Sequence, residues 1–307
     1  MAEQPKILAL SGGADDGAFG AGLLVGWTAR GDRPEFDIVT GVSAGAIIAP
    51  LAFLGARYDA HLSEIFARFD AHDIAEPLGI LGLLGVSLYD TGPLRRLISQ
   101  IIDEDVIQAI AEAHRDGRRL FIVTTDLDRE RAIVWNMGAI ADLDESRRSQ
   151  LFHDVMLASS SIPGLFPPVE INVFGARSAF VELHIDGGAA LEFLAVPDLF
   201  IRNGVWPHGE AAGAQLFVVV NSRLSTRTEL IPARLVRLVE RSLSTLIRSY
   251  QRQSAERVLA FGQRTGVAVG ISAIPPDFEA PRSRWFEPAY MRAVFDHGWQ
   301  LGRSGRG

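Results

Sequence analysis

The sequence contains no cysteine among its 307 residues. This absence excludes disulfide bonds, thiolate metal sites, a cysteine nucleophile and the modified cysteine that anchors a bacterial lipoprotein. Basic residues are also in the minority, because 30 lysines and arginines stand against 37 aspartates and glutamates, which gives a net charge of −7. An acidic chain repels a phosphate backbone, so we expect no nucleic-acid partner.

Long hydrophobic runs are lacking as well. The longest strongly apolar stretch, Pro77–Leu88, is shorter than the roughly 20 residues that a helix needs to cross a bilayer. It is either a flexible lid or lipid-facing surface, or a loop or helix of the core. The first residues show no basic region followed by an apolar core, so we expect a cytoplasmic protein.

Apolar strand-like stretches alternate with helical periodicity along the chain. Strands are predicted at 6–11, 36–40, 119–125, 132–135, 215–221 and 267–274, and helices at 18–29, 44–56, 60–69, 93–102, 106–114 and 232–261. This alternation predicts a three-layer α/β/α fold with a largely parallel central sheet. No repeat, low-complexity tract or linker interrupts the pattern, and we expect one domain over residues 1–307.

A Gly-x-Ser-x-Gly motif lies between the second predicted strand and its helix. It reads Gly41-Val42-Ser43-Ala44-Gly45, the arrangement of a nucleophile elbow. The turn is so tight that side chains beside the serine would clash, which explains the glycines. The helix N-terminus that follows favours negative charge at the site. A Gly-Ser turn without chemistry is the alternative.

A glycine-rich loop, Ser11–Gly20, follows the first predicted strand. A Walker phosphate loop needs Gly-Lys-Ser/Thr at its end, where this chain has Ala18 and Phe19, and Ala14 interrupts the Gly-x-Gly-x-x-Gly of a dinucleotide site. An oxyanion hole, in which backbone N–H groups stabilise an alkoxide, fits the loop best. A structural turn into a helix remains the alternative.

A third motif, Asp186-Gly187-Gly188, ends the apolar run Phe180–Ile185. By itself an Asp-Gly turn is a weak signal. With the elbow and the loop, however, it resembles the patatin-like phospholipase family, which joins these three motifs in this order. The segments Ala158–Val169 and Thr124–Asp128 are similar to further stretches of that family.

The resemblance implies a lipid acyl-ester hydrolase that needs no cofactor and works through an acyl-enzyme intermediate. Ser43 and Asp186 match the catalytic dyad of the family, and Gly41 and Gly45 flank the serine. The matching oxyanion loop is formed by Gly12, Gly13 and Ala14. We expect the site at the carboxyl ends of the first strands. The substrate would be a phospholipid or another acyl ester.

Two positions in the oxyanion loop depart from the family pattern. Ala14 replaces a third glycine, and Asp16 replaces a residue that is often basic. An alanine keeps its N–H, and we expect a negative φ at Ala14, because a positive φ would strain it. A weak or inactive, patatin-shaped binding protein is one alternative function. A soluble-substrate esterase or thioesterase is another.

A Ser-His-Asp triad is the alternative to the dyad, since His208 and His297 follow Asp186. No local pattern marks either histidine as catalytic, and His184 lies on the face of a predicted strand that also carries Asp186. The resemblance implies that Asp186 takes the serine proton directly. For that role its pKa must lie above the ordinary value of about 3.9, which the preceding apolar run favours.

Transient contact with a membrane surface is suggested by arginines on one face of the predicted helix 232–261, opposite Leu238 and Leu246. A solvated face is the simpler interpretation. The arginines in question are Arg234, Arg237, Arg241, Arg248 and Arg252. No metal motif is found, so no metal is required. Asp126, Asp128 and Glu130 form a solvated turn or a weak cation site.

Overall fold

The computed structural model describes residues 4–68, 71–74, 76–78, 87–174, 179–195, 213–226, 230–233 and 235–305. The predicted fold class is confirmed, because helices flank a central, largely parallel sheet. The apolar run Pro77–Leu88, offered above as a lid or a core segment, lies mostly outside the described residues, and so does His208.

The central sheet has the strand order β10-β9-β1-β2-β5-β8-β7, and β6 pairs with β5 as well. The strands are Lys6–Leu10 (β1), Ile38–Val42 (β2), Glu76–Pro77 (β3), Tyr89–Asp90 (β4), Arg119–Asp126 (β5), Arg131–Asn136 (β6), Val169–Phe174 (β7), Ala179–Asp186 (β8), Gln215–Val220 (β9) and Ala268–Ala273 (β10). The pairs from β10 to β5 are parallel, whereas β6, β7 and β8 are added antiparallel. Strands β3 and β4 form a separate short pair.

The helices cover both faces of the sheet, because alternate side chains of β1 pack in two different hydrophobic clusters. They are Ala18–Arg30 (α1), Ala44–Leu54 (α2), Asp59–Arg68 (α3), Ala71–Ile74 (α4), Gly92–Ile101 (α5), Glu104–Arg115 (α6), Met137–Ala141 (α7), Glu145–Ser159 (α8), Leu235–Thr265 (α9) and Pro288–Ser304 (α10). Leu8 and Leu10 belong to the core that includes α1, α2 and α10, while Ile7 and Ala9 pack with residues of α9. Successive strand side chains point to opposite faces, so β1 is buried from both sides.

Helices α1 and α10 pack in direct backbone contact. A Cβ at Gly22 would lie 2.0 Å from the Phe295 carbonyl oxygen, and one at Gly302 would lie 2.1 Å from the Leu23 carbonyl oxygen. Only glycine permits this approach. The contact places the residues just before α10, and its first turn, beside the loop that follows β1.

Helix α9 differs from its predicted arrangement. Leu238 and Leu246, which were expected on its apolar face, are exposed, and Leu246 is 69% exposed. The helix instead packs on the sheet through Ala255, Val258 and Phe261. Amphipathic spacing does not say which part of a long helix crosses the sheet. Among the helices of the described ranges, none is long and apolar enough to span a membrane.

Candidate active site

Strand β5 brings Ser43 and Asp186 together. Strand β2 pairs with β5 as far as Val42, which lies opposite Val123. Beyond that point, strand β8 pairs with the same edge of β5. It ends with Asp186 opposite Thr124, the residue of β5 that follows Val123. The residue that follows β2 and the residue that ends β8 therefore meet at one point, although more than a hundred positions separate them in the chain.

Ser43 occupies a sharp turn between β2 and α2, with φ 54° and ψ −123°. A Cβ at Gly41 would lie 2.5 Å from the Gly45 carbonyl oxygen, and one at Gly45 would lie 2.5 Å from the Leu10 carbonyl oxygen. Both glycines of the motif are thus required by close backbone contact. The strained conformation of Ser43 persists because its surroundings hold it, which is typical of functional turns.

Ser159, at the end of α8, fastens this turn. Its hydroxyl accepts a hydrogen bond from the Ser43 N–H at 3.0 Å and donates one to the Val123 carbonyl at 2.7 Å. The sequence showed only that Ala158–Val169 resembles a family segment, and it gave Ser159 no role. The run of three serines, Ser159 to Ser161, at the end of a helix was the only sign in the sequence that polar contacts form here.

Asp186 is buried beside Ser43, whose hydroxyl favours the charged form of its carboxyl group. The Gly188 N–H donates a hydrogen bond to Asp186 Oδ1 at 2.8 Å. Burial raises the pKa of the carboxyl to about 6, although the Ser43 hydroxyl and the Gly188 N–H both act to lower it. A carboxylate with this pKa is charged at neutral pH and can accept a proton.

The histidines that the structure describes contact other groups than this pair. His184 Nδ1 is 2.9 Å from Thr124 Oγ1 and its Nε2 is 3.1 Å from Glu182 Oε2, and burial lowers the pKa of the ring. His297, on α10, packs against Phe278. Within the described part of the chain, no histidine nitrogen is hydrogen-bonded to Ser43 or Asp186.

The glycine-rich loop after β1 lies directly against Ser43. A Cβ at Gly12 would lie 3.0 Å from Ser43 Cβ and 3.6 Å from its Oγ. A Cβ at Gly13 would lie 1.9 Å from the Asn221 carbonyl oxygen. Side chains at these positions would displace the serine or the end of β9, so the loop reaches Ser43 only as bare backbone.

Asn221, immediately after β9, holds this loop and was not singled out in the sequence. Its side-chain amide donates to the Ser11 carbonyl at 2.8 Å and accepts from the Gly20 N–H at 3.0 Å. Its backbone N–H donates to Ser11 Oγ at 2.9 Å. The only sign of this role in the sequence was a polar residue at the end of a buried strand. The sequence does not show that β9 lies beside β1, because that depends on the order of strands in the sheet.

Asp15 and Asp16 fasten the segment before α10 to the loop. Asp15 pairs with Arg282 at 3.0 Å and accepts the Phe286 N–H at 3.1 Å, and Asp16 accepts the Tyr290 hydroxyl at 2.5 Å. Burial raises the pKa of Asp15 to about 6, opposed by the positive charge of Arg282. Asp16, which stands where the family often has a basic residue, therefore has a structural partner in Tyr290.

The expectation of a negative φ at Ala14 was wrong, since its φ is 51°. A side chain in this left-handed region meets its own backbone. The loop must turn here from the approach to Ser43 into the short 3-10 helix Ala14–Gly17. Spacing alone could not show that this position carries the turn.

Ala14→Gly should therefore stabilise the protein, by about 0.5–1 kcal/mol after the added flexibility of the unfolded chain is subtracted. Chemical denaturation measures this free energy of unfolding. Ala21→Gly, in the right-handed interior of α1, is the matched control and should destabilise by about 1 kcal/mol. An equal decrease in the free energy of unfolding of the two variants would contradict strain at Ala14.

An apolar pocket opens beside Ser43 and Ala14. Helices α2, α3, α5 and α10 contribute to its walls, together with the segments that follow α8 and precede α10. Its other lining residues are Ala44, Ile47, Ile65, Phe66, Ile74, Leu94, Leu97, Ser160, Ile162, Phe166, Phe286 and Met291. Such walls suit a hydrocarbon chain whose reacting end lies at the serine.

A comparison with known protein families gives a match over the part of the chain that contains these motifs. Residues 8–197 match the family described as patatin-like phospholipase. The chain belongs to this family. At the family level it is therefore a lipid acyl hydrolase, and the matched range contains the glycine-rich loop, the Gly-x-Ser-x-Gly motif and the Asp-Gly-Gly turn. No curated protein matches the sequence.

Two solved structures are similar to this chain over 99% of its length. VipD from Legionella pneumophila shares 12% sequence identity at a TM-score of 0.48, and 67% of its own chain is covered. The type III effector protein ExoU shares 14% identity at a TM-score of 0.40, and 53% of its chain is covered. The sequence thus spans about two thirds of the first structure and about half of the second.

Proposed function

We propose that the protein hydrolyses lipid acyl esters, with Ser43 as nucleophile and Asp186 as base. The single observation that carries this proposal is that the buried Asp186 carboxyl lies close enough to the Ser43 hydroxyl for that hydroxyl to lower its pKa, with Ser43 also lining the apolar pocket. The raised pKa of Asp186 supports it, because an ordinary aspartate is a weak base for a serine hydroxyl.

In the first half of the reaction, Ser43 Oγ attacks the ester carbonyl carbon while its proton passes to Asp186. The tetrahedral intermediate collapses to an acyl-Ser43 ester, and the departing alcohol takes the proton from Asp186. In the second half, water gives a proton to Asp186 and attacks the acyl carbon. Ser43 then leaves with that proton, and the fatty acid is released.

The backbone N–H groups of Gly12, Gly13 and Ala14 are the proposed oxyanion hole. Of the described residues, none accepts a hydrogen bond from the Gly12 or Gly13 N–H, so both donors are available to a substrate. The closeness of Gly12 to Ser43 supports this role. Donors at about 3 Å from the developing oxyanion stabilise it most.

The substrate class is tested by presenting the same acyl chain in two forms. Fatty-acid release from phospholipid vesicles and from a soluble short-chain nitrophenyl ester is measured, together with labelling of the protein by a fluorophosphonate. Labelling with lipid hydrolysis supports the proposal. Labelling with turnover of the soluble ester alone would favour a soluble-substrate esterase, and the absence of labelling would favour a non-catalytic binding protein.

The pH profile of kcat/KM should show one acidic limb with a midpoint at about pH 6, the pKa of Asp186. Below this pH the carboxyl is protonated and cannot accept the serine proton, so the rate should fall about tenfold per pH unit. Stopped assays with a nitrophenyl ester between pH 4 and pH 8 give the profile.

Asp15→Asn is the control, because Asp15 has a similarly raised pKa but pairs with Arg282 instead of Ser43. It should keep the acidic limb. If the limb vanished in Asp15→Asn, the dependence on pH would belong to the loop and not to the catalytic base.

A further inference from the structure

A second buried acid lies beside Asp186. Glu192 is 1% exposed, and the site described so far does not use it. A Cβ built at Gly188 would lie 3.1 Å from Asp186 Oδ1 and 3.6 Å from Glu192 Oε1. One oxygen of each carboxyl group therefore lies within 4 Å of the same point beside Gly188.

Helix α9 contacts the other oxygen of the Glu192 carboxyl group. Gln251 Nε2 donates to Glu192 Oε2 at 2.8 Å, and Gln251 Oε1 accepts the Ser222 hydroxyl at 2.6 Å. Glu192 Oε1, the oxygen near Gly188, is buried and has no hydrogen-bond partner among the described residues. The unpartnered oxygen is therefore the one on the side of Asp186.

We propose that Glu192 is a positioning residue of the active site, which acts on Asp186 through its charge and ties the Asp-Gly-Gly turn to α9 through Gln251. The proposal rests on the proposed function, since it assigns Glu192 an effect on the catalytic base. Among the described residues, the Glu192 carboxyl has a hydrogen bond to Gln251 and none to Ser43. Its effect passes through Asp186.

Two carboxylates in one buried site oppose each other's ionisation. Burial, with a further contribution from the negative charge of Asp186, raises the pKa of Glu192 to about 8, while Gln251 lowers it. Asp186 ionises at about pH 6, where Glu192 is still neutral and adds no charge. Above about pH 8 both groups are negative, and Asp186 becomes a stronger base.

Two titratable side chains of α9 near this region contact other groups. On α9, Tyr250 donates its hydroxyl to the Ala190 carbonyl at 3.3 Å, and Arg248 acts on Asp16. Ser222 and Gln251, which complete the contacts of Glu192, do not titrate. Asp186 is thus the charged partner through which an ionised Glu192 acts within the described part of the site.

The rate of labelling by a fluorophosphonate, measured between pH 5 and pH 10, tests this proposal without any lipid. In this step the Ser43 Oγ–P bond forms, the P–F bond breaks, fluoride leaves and the serine proton passes to Asp186. The wild-type rate should rise at about pH 6 and again near pH 8, the second time by roughly three- to tenfold, the scale of a one-unit change in base strength.

Glu192→Gln, which keeps the size of the side chain, should lose the second rise. Glu182→Gln removes another buried acid of β8, paired with Arg129 and His184, and should keep it. If Glu192→Gln does not fold, Gln251→Leu gives the same information, because loss of the amide donor should move the second rise to higher pH.

A wild-type profile without a second rise, or an equal rise in Glu192→Gln, would overturn the role of Glu192. Either result leaves the proposed function intact, because Ser43 is still labelled. A wild-type protein that is not labelled at any pH would instead count against the proposed function itself.

Discussion

Ser43→Ala should reduce the hydrolysis of a short-chain nitrophenyl ester to the uncatalysed background. The hydroxyl is the proposed nucleophile, and the alanine keeps the backbone N–H that bonds to Ser159. Circular dichroism and the free energy of unfolding should show an intact fold, since the substitution removes only one hydroxyl group. Turnover equal to that of the wild type would remove Ser43 from the mechanism.

Ser43→Gly is the matched variant, because it also lacks the hydroxyl but relieves the positive φ of 54°. It should be as inactive as Ser43→Ala and yet more stable, by about 0.5–1 kcal/mol. A difference of this sign would mean that the backbone of the elbow is strained at Ser43. Equal stability of the two variants would argue against stored strain.

Asp186→Asn should lower kcat by about a thousandfold or more, the scale of losing a catalytic base. The asparagine oxygen can still accept the Gly188 N–H, but the neutral amide cannot take the serine proton. Replacing His184, His208 or His297 with Gln, one at a time, should leave at least about a tenth of the activity. A histidine variant as inactive as Asp186→Asn would indicate a triad.

The same aspartate variant should also be more stable than the wild type above about pH 6. Because the folded-state pKa of Asp186 is raised from 3.8 to about 6, its contribution to stability is fully present below pH 3.8. That contribution is lost as the pH rises through 6. Asparagine carries no charge at any of these pH values, so thermal unfolding at pH 5 and pH 8 measures the difference.

Local sequence determined where the candidate catalytic motifs lie along the chain. The Gly-x-Ser-x-Gly elbow can be recognised because a tight strand-to-helix turn excludes side chains at Gly41 and Gly45, whatever the rest of the fold does. The apolar run before Asp186 likewise predicted its raised pKa, since burial disfavours a charge. Alternation of strands and helices was enough for the fold class.

The tertiary structure decided which groups serve these motifs. Ser159, Asn221 and Glu192 reach the site from α8, from the end of β9 and from the turn after β8, and no spacing in the sequence reveals that these places adjoin. The φ of Ala14 was predicted with the wrong sign for the same reason. It depends on how the loop must turn between β1 and α1 once Ser43 and Asn221 are in place.

The sequence by itself therefore determined the fold class and the positions of the serine, the aspartate and the glycine-rich loop, because each depends on local backbone geometry or on the alternation of neighbouring residues. Only the tertiary structure decided that Ser43 and Asp186 meet, since that follows from β2 and β8 sharing one edge of β5. It also decided what surrounds the pair, because burial and charge are set by segments distant in sequence that pack together in space.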